Sequence, residues 1–371
     1  MSKITPSETD RRFIRHALAL ARRGLGRVWP NPAVGCVLVK EDAVIAVGWT
    51  RPGGRPHAER VALDAAGDAA RGATAYVSLE PCSHHGKTPP CADALVAAGV
   101  ARVVAACTDP DPRVSGRGLA RLRDAGVAVT EGVLAEEARD LNAGFFSRIT
   151  RNRPWVRMKV ASTLDGRIAT AAGESKWITG ARARAEGHRL RAEADAVLTG
   201  AGTLAADDPL LTARLPGFAA RQPVRIVLEG RAPVSAAARL WKTAADSPVW
   251  LVSARRDAER DARLAALGVR CLTAAAGADG RPDIAAVLEM LAGEGLTRLL
   301  LEAGARLNAA FLAADAVDAV SWFRAPALIG GDGMPGIAPF GLGPLAEMPR
   351  FRLVRRLPLD GDALEDYQRE T

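Results

Sequence analysis

A chain of 371 residues is longer than one typical core and predicts two domains. Hydrophobic residues make up 48% of it, ample for burial, and five cysteines, an odd number, do not read as a disulfide framework. The net charge of +8 is mostly arginine spread along an alanine-rich chain, and two tyrosines are too few for a single-strand binder's stacking platform, so no nucleic-acid partner is expected.

Met1 to Arg12 is polar and lacks an apolar signal core, and no later apolar run reaches the length of a membrane span. The expected location is therefore the cytoplasm, with no membrane partner and with thiols kept reduced and free to bind metal.

In chain order, Phe13–Arg23 has helical periodicity and is stopped by Gly24 and Gly26. Ala33–Lys40 and Ala43–Trp49 read as strands joined by a polar turn at Glu41-Asp42. A helix is predicted from near His57 toward Ala70, a buried strand over Ala73–Leu79, a helix over Ala92–Ala98 and a strand over Ala101–Cys107. Leu119–Ala125 continues as helix and Val127–Thr130 as strand. Such alternation predicts an α/β sandwich.

Asn142–Pro154 mixes polar, aromatic and basic residues and is read as the domain junction, giving domains 1–150 and 151–371. Beyond it the alternation restarts. Strands are predicted at Val156–Ala161, Ala196–Thr199, Val224–Leu228, Val249–Val252 and Arg298–Leu301, with helices that include Ala181–Ala194 and Ile284–Ala292.

The chemistry-bearing group is Pro56-His57-Ala58-Glu59, followed by Pro81-Cys82 and then Cys91. One imidazole and two thiolates match a catalytic zinc that keeps its fourth position for water, whose pKa the metal lowers. Glu59 is wrongly spaced to share a helix face with His57, yet both reach one cleft if they stand where a helix begins. A structural zinc with His84 or His85 as fourth ligand accounts for the same ligands but leaves Glu59 without a role. Cys36, Cys107 and Cys271 sit in apolar surroundings and read as buried hydrophobes, while His16 and His188 read as surface or packing residues.

This constellation resembles the zinc deaminase signature, H-x-E followed by P-C-x-x-C. By that resemblance His57, Cys82 and Cys91 hold Zn²⁺ and Glu59 shuttles protons. Here eight residues, Ser83 to Pro90, separate the cysteines. That insertion resembles the riboflavin-biosynthesis deaminase, a branch usually fused to a reductase. Pro30-Asn31-Pro32-Ala33-Val34-Gly35-Cys36-Val37 is similar to the same family's N-terminal motif, which implies that Asn31 touches the pyrimidine.

In the second half, Leu299–Asn308 reads as a strand, a glycine turn and a helix start that offers backbone N–H groups to a phosphate. No G-x-G-x-x-G fingerprint accompanies it, so a Rossmann site is not supported. The stretches Lys159–Arg167, Gly173–Thr179, Thr203–Arg214 and Glu302–Asn308 resemble the reductase domain of the same family, with Thr163 where that family commonly has serine. The resemblance implies a cytidine-deaminase-like αβα sandwich followed by a dihydrofolate-reductase-like α/β domain. It implies that Ala161, Trp177, Thr203 and Asp207 line an NADPH site, with Gly304, Ala305, Arg306, Leu307, Asn308, Ala309 and Ala310 around its phosphate. Ser175, Arg191, Leu211, Arg214 and Glu302 are implied to contact substrate, and Asp207 and Lys159 to serve the hydride step. Asp165 and Asp208 also read as turn caps, Trp177 as core and Arg191 as a solvated helix arginine.

The implied partner is a phosphorylated pyrimidine ribosylamine, and the implied assembly is a homo-oligomer, first of all a dimer. Two other readings stay open at this point. One is a nucleoside or tRNA deaminase with an unrelated second domain; the other is a non-catalytic, zinc-stabilised nucleic-acid-binding protein.

Overall fold

The computed structural model describes residues 7–84, 89–216, 221–231 and 233–370, so His85 lies outside the described residues. The chain divides into two compact units between Arg151 and Asn152.

In the first unit, helix α1 (Glu8–Ala21) begins at a capping box: the Ser7 side chain accepts the Asp10 N–H at 3.1 Å, and the Asp10 carboxylate accepts the Ser7 N–H at 3.0 Å. Phe13, Ile14, Ala17, Leu18 and Ala21 form its buried stripe. Strands β1 (Gly35–Lys40), β2 (Ala43–Trp49), β3 (Thr74–Val77), β4 (Arg102–Ala105) and β5 (Ala128–Glu131) form one sheet in the order β2-β1-β3-β4-β5. β1 runs antiparallel to β2 and β3, while β3, β4 and β5 are parallel. Helices α2 (Ala58–Ala66), α3 (Cys91–Ala97), α4 (Arg117–Asp124), α5 (Ala135–Leu141) and α6 (Ala143–Arg151) complete the unit. Covered strands read as continuous apolar runs, and Cys36, Val37 and Leu38 are indeed fully buried. Gly48 allows the start of α2 to rest on β2, since a Cβ there would stand 2.1 Å from the Ala58 carbonyl oxygen. That docking sets His57 and Glu59 against the sheet.

Most of the segment read as a junction is the helix α6, and the division between the units falls at its end. Phe145 and Ser147 are buried on it, so the aromatic character of that stretch serves packing rather than a linker.

The second unit is built on a nine-stranded sheet. Its strands are β6 (Trp155–Ser162), β8 (Ala196–Gly200), β9 (Val224–Leu228), β10 (Val249–Ser253), β11 (Arg270–Thr273), β12 (Arg298–Leu301), β13 (Ala319–Arg324), β15 (Phe351–Leu359) and β16 (Asp362–Arg369). The order is β11-β10-β9-β8-β12-β6-β13-β16-β15, parallel except that β16 runs antiparallel to β13 and β15. A two-stranded ribbon pairs β7 (Arg167–Ala169) with β14 (Met334–Pro335). The helices are α7 (Ala181–Glu193), α8 (Ala201–Asp207), α9 (Arg239–Lys242), α10 (Ala258–Ala265), α11 (Ile284–Gly293) and α12 (Ala305–Ala313). Strands β11, β13, β15 and β16 go beyond the sequence expectation. β15 escapes it because most of its residues, Arg352 to Arg356, are exposed. Cys271 is only half-buried on the edge strand β11, unlike Cys36 and Cys107.

Candidate active sites

His57 is the residue at which extended backbone (φ −70°, ψ 159°) turns into α2, and Glu59 stands in that helix's first turn. The break in helical geometry lets residues two apart line one cavity. Cys82 lies in the loop after β3, and Cys91 opens α3. His57 Nδ1 is 3.7 Å from Cys82 Sγ and 3.4 Å from Cys91 Sγ, and the three ligand atoms lie within 4.8 Å of one another. Ordinary Zn–N and Zn–S bonds place the N···S edges of a tetrahedron at about 3.6 Å, so the three residues fit zinc. Among the described residues no other group of His, Cys, Asp and Glu has such geometry.

The Cys91 backbone N–H donates to Cys82 Sγ at 3.3 Å. A side-chain hydrogen bond with Cys91 leads the effects that bring Cys82 down to about 4, although burial opposes the shift. The same bond, with burial, holds the Cys91 thiol well above its ordinary value. Glu59 is 3% exposed, and burial pushes its carboxyl up to about 7 although His57 opposes the shift.

His57, Glu59 and Cys82 border a cavity of about 270 Å³ that Asn31, His84, Asp109 and Arg148 also line. Asn31 lies against Gly54, where a Cβ would stand 1.9 Å from its Nδ2. The fully buried Asn142 grips the same loop: its Oδ1 accepts the Ala33 N–H and its Nδ2 donates to the Ala33 carbonyl, both at 2.9 Å. Sequence reasoning missed Glu80. Its buried carboxylate accepts backbone N–H groups from Asp109 (3.1 Å), Gly116 (2.9 Å), Gly118 (2.9 Å) and Leu119 (3.3 Å). One side chain thus ties the turn that carries Cys82 to the loop that carries Asp109, Asp111 and Arg113.

In the second unit, β12 pairs in parallel with β6, Leu301 beside Met158, so Glu302 emerges next to Lys159. Lys159 Nζ is 3.7 Å from Glu302 Oε2, and Arg191 of α7 forks the same carboxylate at 2.6 and 2.9 Å. Burial raises the Glu302 carboxyl, but Arg191 and Lys159 outweigh it and bring it down to about 2. Arg191 is therefore a clamped residue, not a solvated helix arginine. His188, one turn before it, is half-buried with Nδ1 3.1 Å from the Thr212 carbonyl, and Arg214 Nη1 donates to Thr212 Oγ1 at 2.9 Å.

The start of α8 meets the start of α12 where Gly304 N–H donates to Thr203 Oγ1 at 3.1 Å. No side chain caps α12, and Asn308, 1% exposed, donates through Nδ2 to the Ala303 and Gly336 carbonyls while its Oδ1 has no partner. An uncapped helix start accommodates an anion and an orphaned carbonyl accommodates a donor. A nucleotide cofactor offers both, so these residues fit one. Ala305, Leu307 and Ala310 are half-buried around this turn, Arg306 is exposed, and Ala309 packs inward.

Asp207 ends α8, with Lys176 Nζ 3.7 Å away. Ser175 and Trp177 stand in an exposed loop, and Trp177 is 71% exposed beneath the Arg184 guanidinium rather than in the core. Asp165 and Asp208 are turn and loop anchors: Asp165 accepts the Gly330 N–H at 2.7 Å and Asp208 the Arg239 N–H at 2.9 Å. Leu211 is 2% exposed in a cluster with Leu190 and Val197, so its side chain is core. Ala161 lies at the carboxyl end of β6, and Thr203 and Glu302 follow the carboxyl ends of β8 and β12, the edge where open parallel sheets take ligands.

Residues 7–107 match the family model of the cytidine and deoxycytidylate deaminase zinc-binding region, and residues 154–363 match that of the RibD C-terminal domain. Fold and sites together define a bifunctional enzyme, a zinc deaminase fused to a reductase. The chain is 41% identical over 354 residues to riboflavin biosynthesis protein RibD of Escherichia coli K12, covering 92% of this chain and 95% of that protein. It is 42% identical over 323 residues to the RibD of Aquifex aeolicus, at 87% and 88% coverage. A solved structure of Acinetobacter baumannii RibD superposes with a TM-score of 0.87 at 39% identity, covering 98% of this chain and 99% of that one. A diaminohydroxyphosphoribosylaminopyrimidine deaminase/5-amino-6-(5-phosphoribosylamino)uracil reductase from Thermotoga maritima gives 0.86 at 36% identity, at 97% and 99% coverage. The chain belongs to the RibD family of riboflavin biosynthesis proteins. Its second domain is accordingly that of the family and not an unrelated one. No helix among the described residues is long and apolar enough to cross a membrane.

Proposed function

We propose that residues 1–150 hydrolytically deaminate a 2,5-diamino-6-ribosylamino-4(3H)-pyrimidinone 5′-phosphate and that residues 151–371 reduce its ribosyl side chain to ribityl with NADPH. The observation that carries the reading is the convergence of His57, Cys82 and the buried Glu59 on one cavity that Asn31 also lines, with Cys91 completing the ligand group of His57 and Cys82.

Zinc held by His57, Cys82 and Cys91 would supply Lewis acidity toward water. Glu59 holds and moves the proton: with a carboxyl near 7 it accepts one from water and returns it to the departing amine at neutral pH. Asn31, fixed between Gly54 and the loop gripped by Asn142, orients the pyrimidine. In the second domain NADPH would supply hydride to the former anomeric carbon. The turn at Gly304 and the helix start after it receive the cofactor's phosphate. On this reading Lys159 and Asp207 serve the proton transfer at the opening sugar, a role that the Lys159–Glu302 and Lys176–Asp207 ion pairs support. Ser175, Arg191, Arg214 and the backbone of Leu211 face the phosphorylated substrate. The reading places the enzyme in the cytoplasm as a homodimer, in keeping with five cysteines that form no disulfide.

The test supplies the diaminopyrimidinone ribosylamino phosphate with and without NADPH while ammonia and NADPH absorbance are followed. Ammonia release without NADPH, and NADPH oxidation only after that release, are the expected results. Absence of ammonia, or NADPH oxidation independent of deamination, would overturn the assignment.

A further inference from the structure

Residues Leu210–Arg214 have no regular secondary structure, so neither a helix nor a sheet ladder fixes their backbone. Side chains hold it instead. From the β9 side, Arg225 Nη1 donates to the Leu210 carbonyl at 3.3 Å. Gln222, just ahead of that strand, brackets Ala213: its Oε1 accepts the Ala213 N–H at 2.8 Å, and its Nε2 donates to the Ala213 carbonyl at 3.1 Å. From the α7 side, Arg191 Nη1 donates to the Thr212 carbonyl at 3.1 Å. Leu211 takes a positive φ of 54°, uncommon for a bulky side chain and kept only where the surroundings hold the chain.

His188 adds a further grip from α7, one turn before Arg191. Its Nδ1 lies 3.1 Å from the Thr212 carbonyl oxygen, and the Arg214 N–H donates to the same atom at 3.3 Å. A ring nitrogen carries either a proton or a lone pair. With the proton, Nδ1 donates to Thr212; with the lone pair, it accepts from Arg214. Both partners belong to one segment, so α7 grips that segment in either tautomer. The Arg214 side chain is exposed, and its Nη1 donates to Thr212 Oγ1 at 2.9 Å. Where the guanidinium stands therefore follows from the Thr212–Arg214 backbone.

We infer that His188 is a positioning residue of the reductase site, which sets Arg214 for the substrate by fixing the Thr212–Arg214 backbone through Nδ1. The inference rests on the reductase reading above, in which Arg214 faces substrate. A segment ordered beforehand binds without the cost of ordering it at the moment of binding. The cofactor side is built from other parts, Thr203 and the Gly304 turn, so the effect of His188 falls on one ligand of the two.

The experiment follows NADPH oxidation with the deaminated ribosylamino intermediate in wild type, His188→Ala, His188→Gln and His188→Asn. An asparagine amide stands where Nδ1 stands and either donates or accepts, whereas a glutamine amide stands nearer the Nε2 position. KM for the intermediate should rise about tenfold or more in His188→Ala and His188→Gln, with KM for NADPH within about twofold of wild type. His188→Asn should recover most of that loss, and ammonia release by the first unit should be unchanged in all three. An intermediate KM within about twofold of wild type in His188→Ala, or an equal rise in both KM values, overturns the positioning role. Should His188→Ala fail to fold, the polar pair decides: equal KM in His188→Asn and His188→Gln overturns it as well. Wild type that oxidises no NADPH with the intermediate overturns the reductase reading itself, an outcome distinct from active enzyme with unchanged KM.

Discussion

The sulfur of Cys82 accepts the backbone N–H of Cys91 at 3.3 Å, although eight residues separate the two in sequence. The bond comes from the first residue of α3, so the helix start itself fixes where the second thiolate stands relative to the first. Shape alone does not preserve this arrangement, because serine in either place offers a weaker, harder donor to zinc. Purified protein should carry about one zinc per chain, and Cys82→Ser or Cys91→Ser should lose both metal and deamination. Full occupancy by elemental analysis in either variant would remove that residue from the ligand set.

Glu59 separates metal binding from chemistry. Its carboxyl is raised to about 7 chiefly by burial, so it exchanges a proton near neutral pH. Glu59→Gln keeps the shape and loses that capacity. Zinc should stay at wild-type content while ammonia release falls by roughly a hundredfold or more. Near-normal release would assign the proton transfer to another group.

Glu80 should matter to stability out of proportion to its anonymity in the sequence. Four backbone N–H groups converge on its two oxygens. Glu80→Gln replaces one of those acceptors with a donor and strips the charge from the rest. A loss of roughly 2–4 kcal/mol in urea unfolding is expected, with faster amide exchange at Gly116 and Gly118. Unchanged protection at those two amides would show that the loop is held by something else.

Glu302 gives the second unit an acid-sensitive element. Burial raises its carboxyl, but the Arg191 and Lys159 charges prevail and set it at about 2, below its ordinary 4.5. A depressed folded value means that the unfolded chain binds the extra proton. The stabilisation is therefore complete above about pH 5 and is lost as pH falls from there toward 2, with a ceiling of roughly 3 kcal/mol. Glu302→Gln should flatten that part of the stability profile measured by urea unfolding at pH 6 and pH 3. An identical acid slope in the variant would rule Glu302 out as its source.

What the sequence disclosed and what it hid follow from range. The zinc group was legible because His57, Cys82 and Cys91 announce themselves by residue type, and because His57 and Glu59 flank a helix start. Most sheet strands were legible because both faces are covered and their apolar runs are unbroken. The β15–β16 hairpin was not, since Arg352 to Arg356 face outward; its one local signal was Asp360-Gly361, both at positive φ as a tight hairpin turn requires. Glu80 and Asn142 were invisible for another reason. Each serves backbone groups 29 to 39 and 109 residues away, and a backbone N–H carries no mark in the sequence.

Adjacent aspartates at the end of α8 supply the sharpest test of the second site. Asp208 accepts the Arg239 N–H at 2.9 Å and its Nε at 2.8 Å, a holding role that binds the loop after α8 to α9. Asp207 makes no such backbone contact among those described and faces Lys176 Nζ at 3.7 Å instead. It shares α8 with Thr203, one turn earlier, which meets the Gly304 turn. Changing a residue that only fixed a loop to asparagine would leave the reduction step itself intact, since the amide oxygen still accepts backbone hydrogen bonds and only charge-assisted contacts weaken. Changing a carboxylate that orients the nicotinamide or relays a proton would not, because charge and proton affinity vanish while shape is kept. Asp207→Asn should fold and deaminate normally yet reduce the deaminated intermediate at least roughly tenfold more slowly, about 1.4 kcal/mol of lost transition-state stabilisation. Asp208→Asn should show the reverse: lower thermal stability, through the weakened Arg239 contact, with reduction by the folded fraction little changed. NADPH oxidation by Asp207→Asn within about twofold of wild type, at saturating intermediate and cofactor, would return Asp207 to the same holding role as its neighbour.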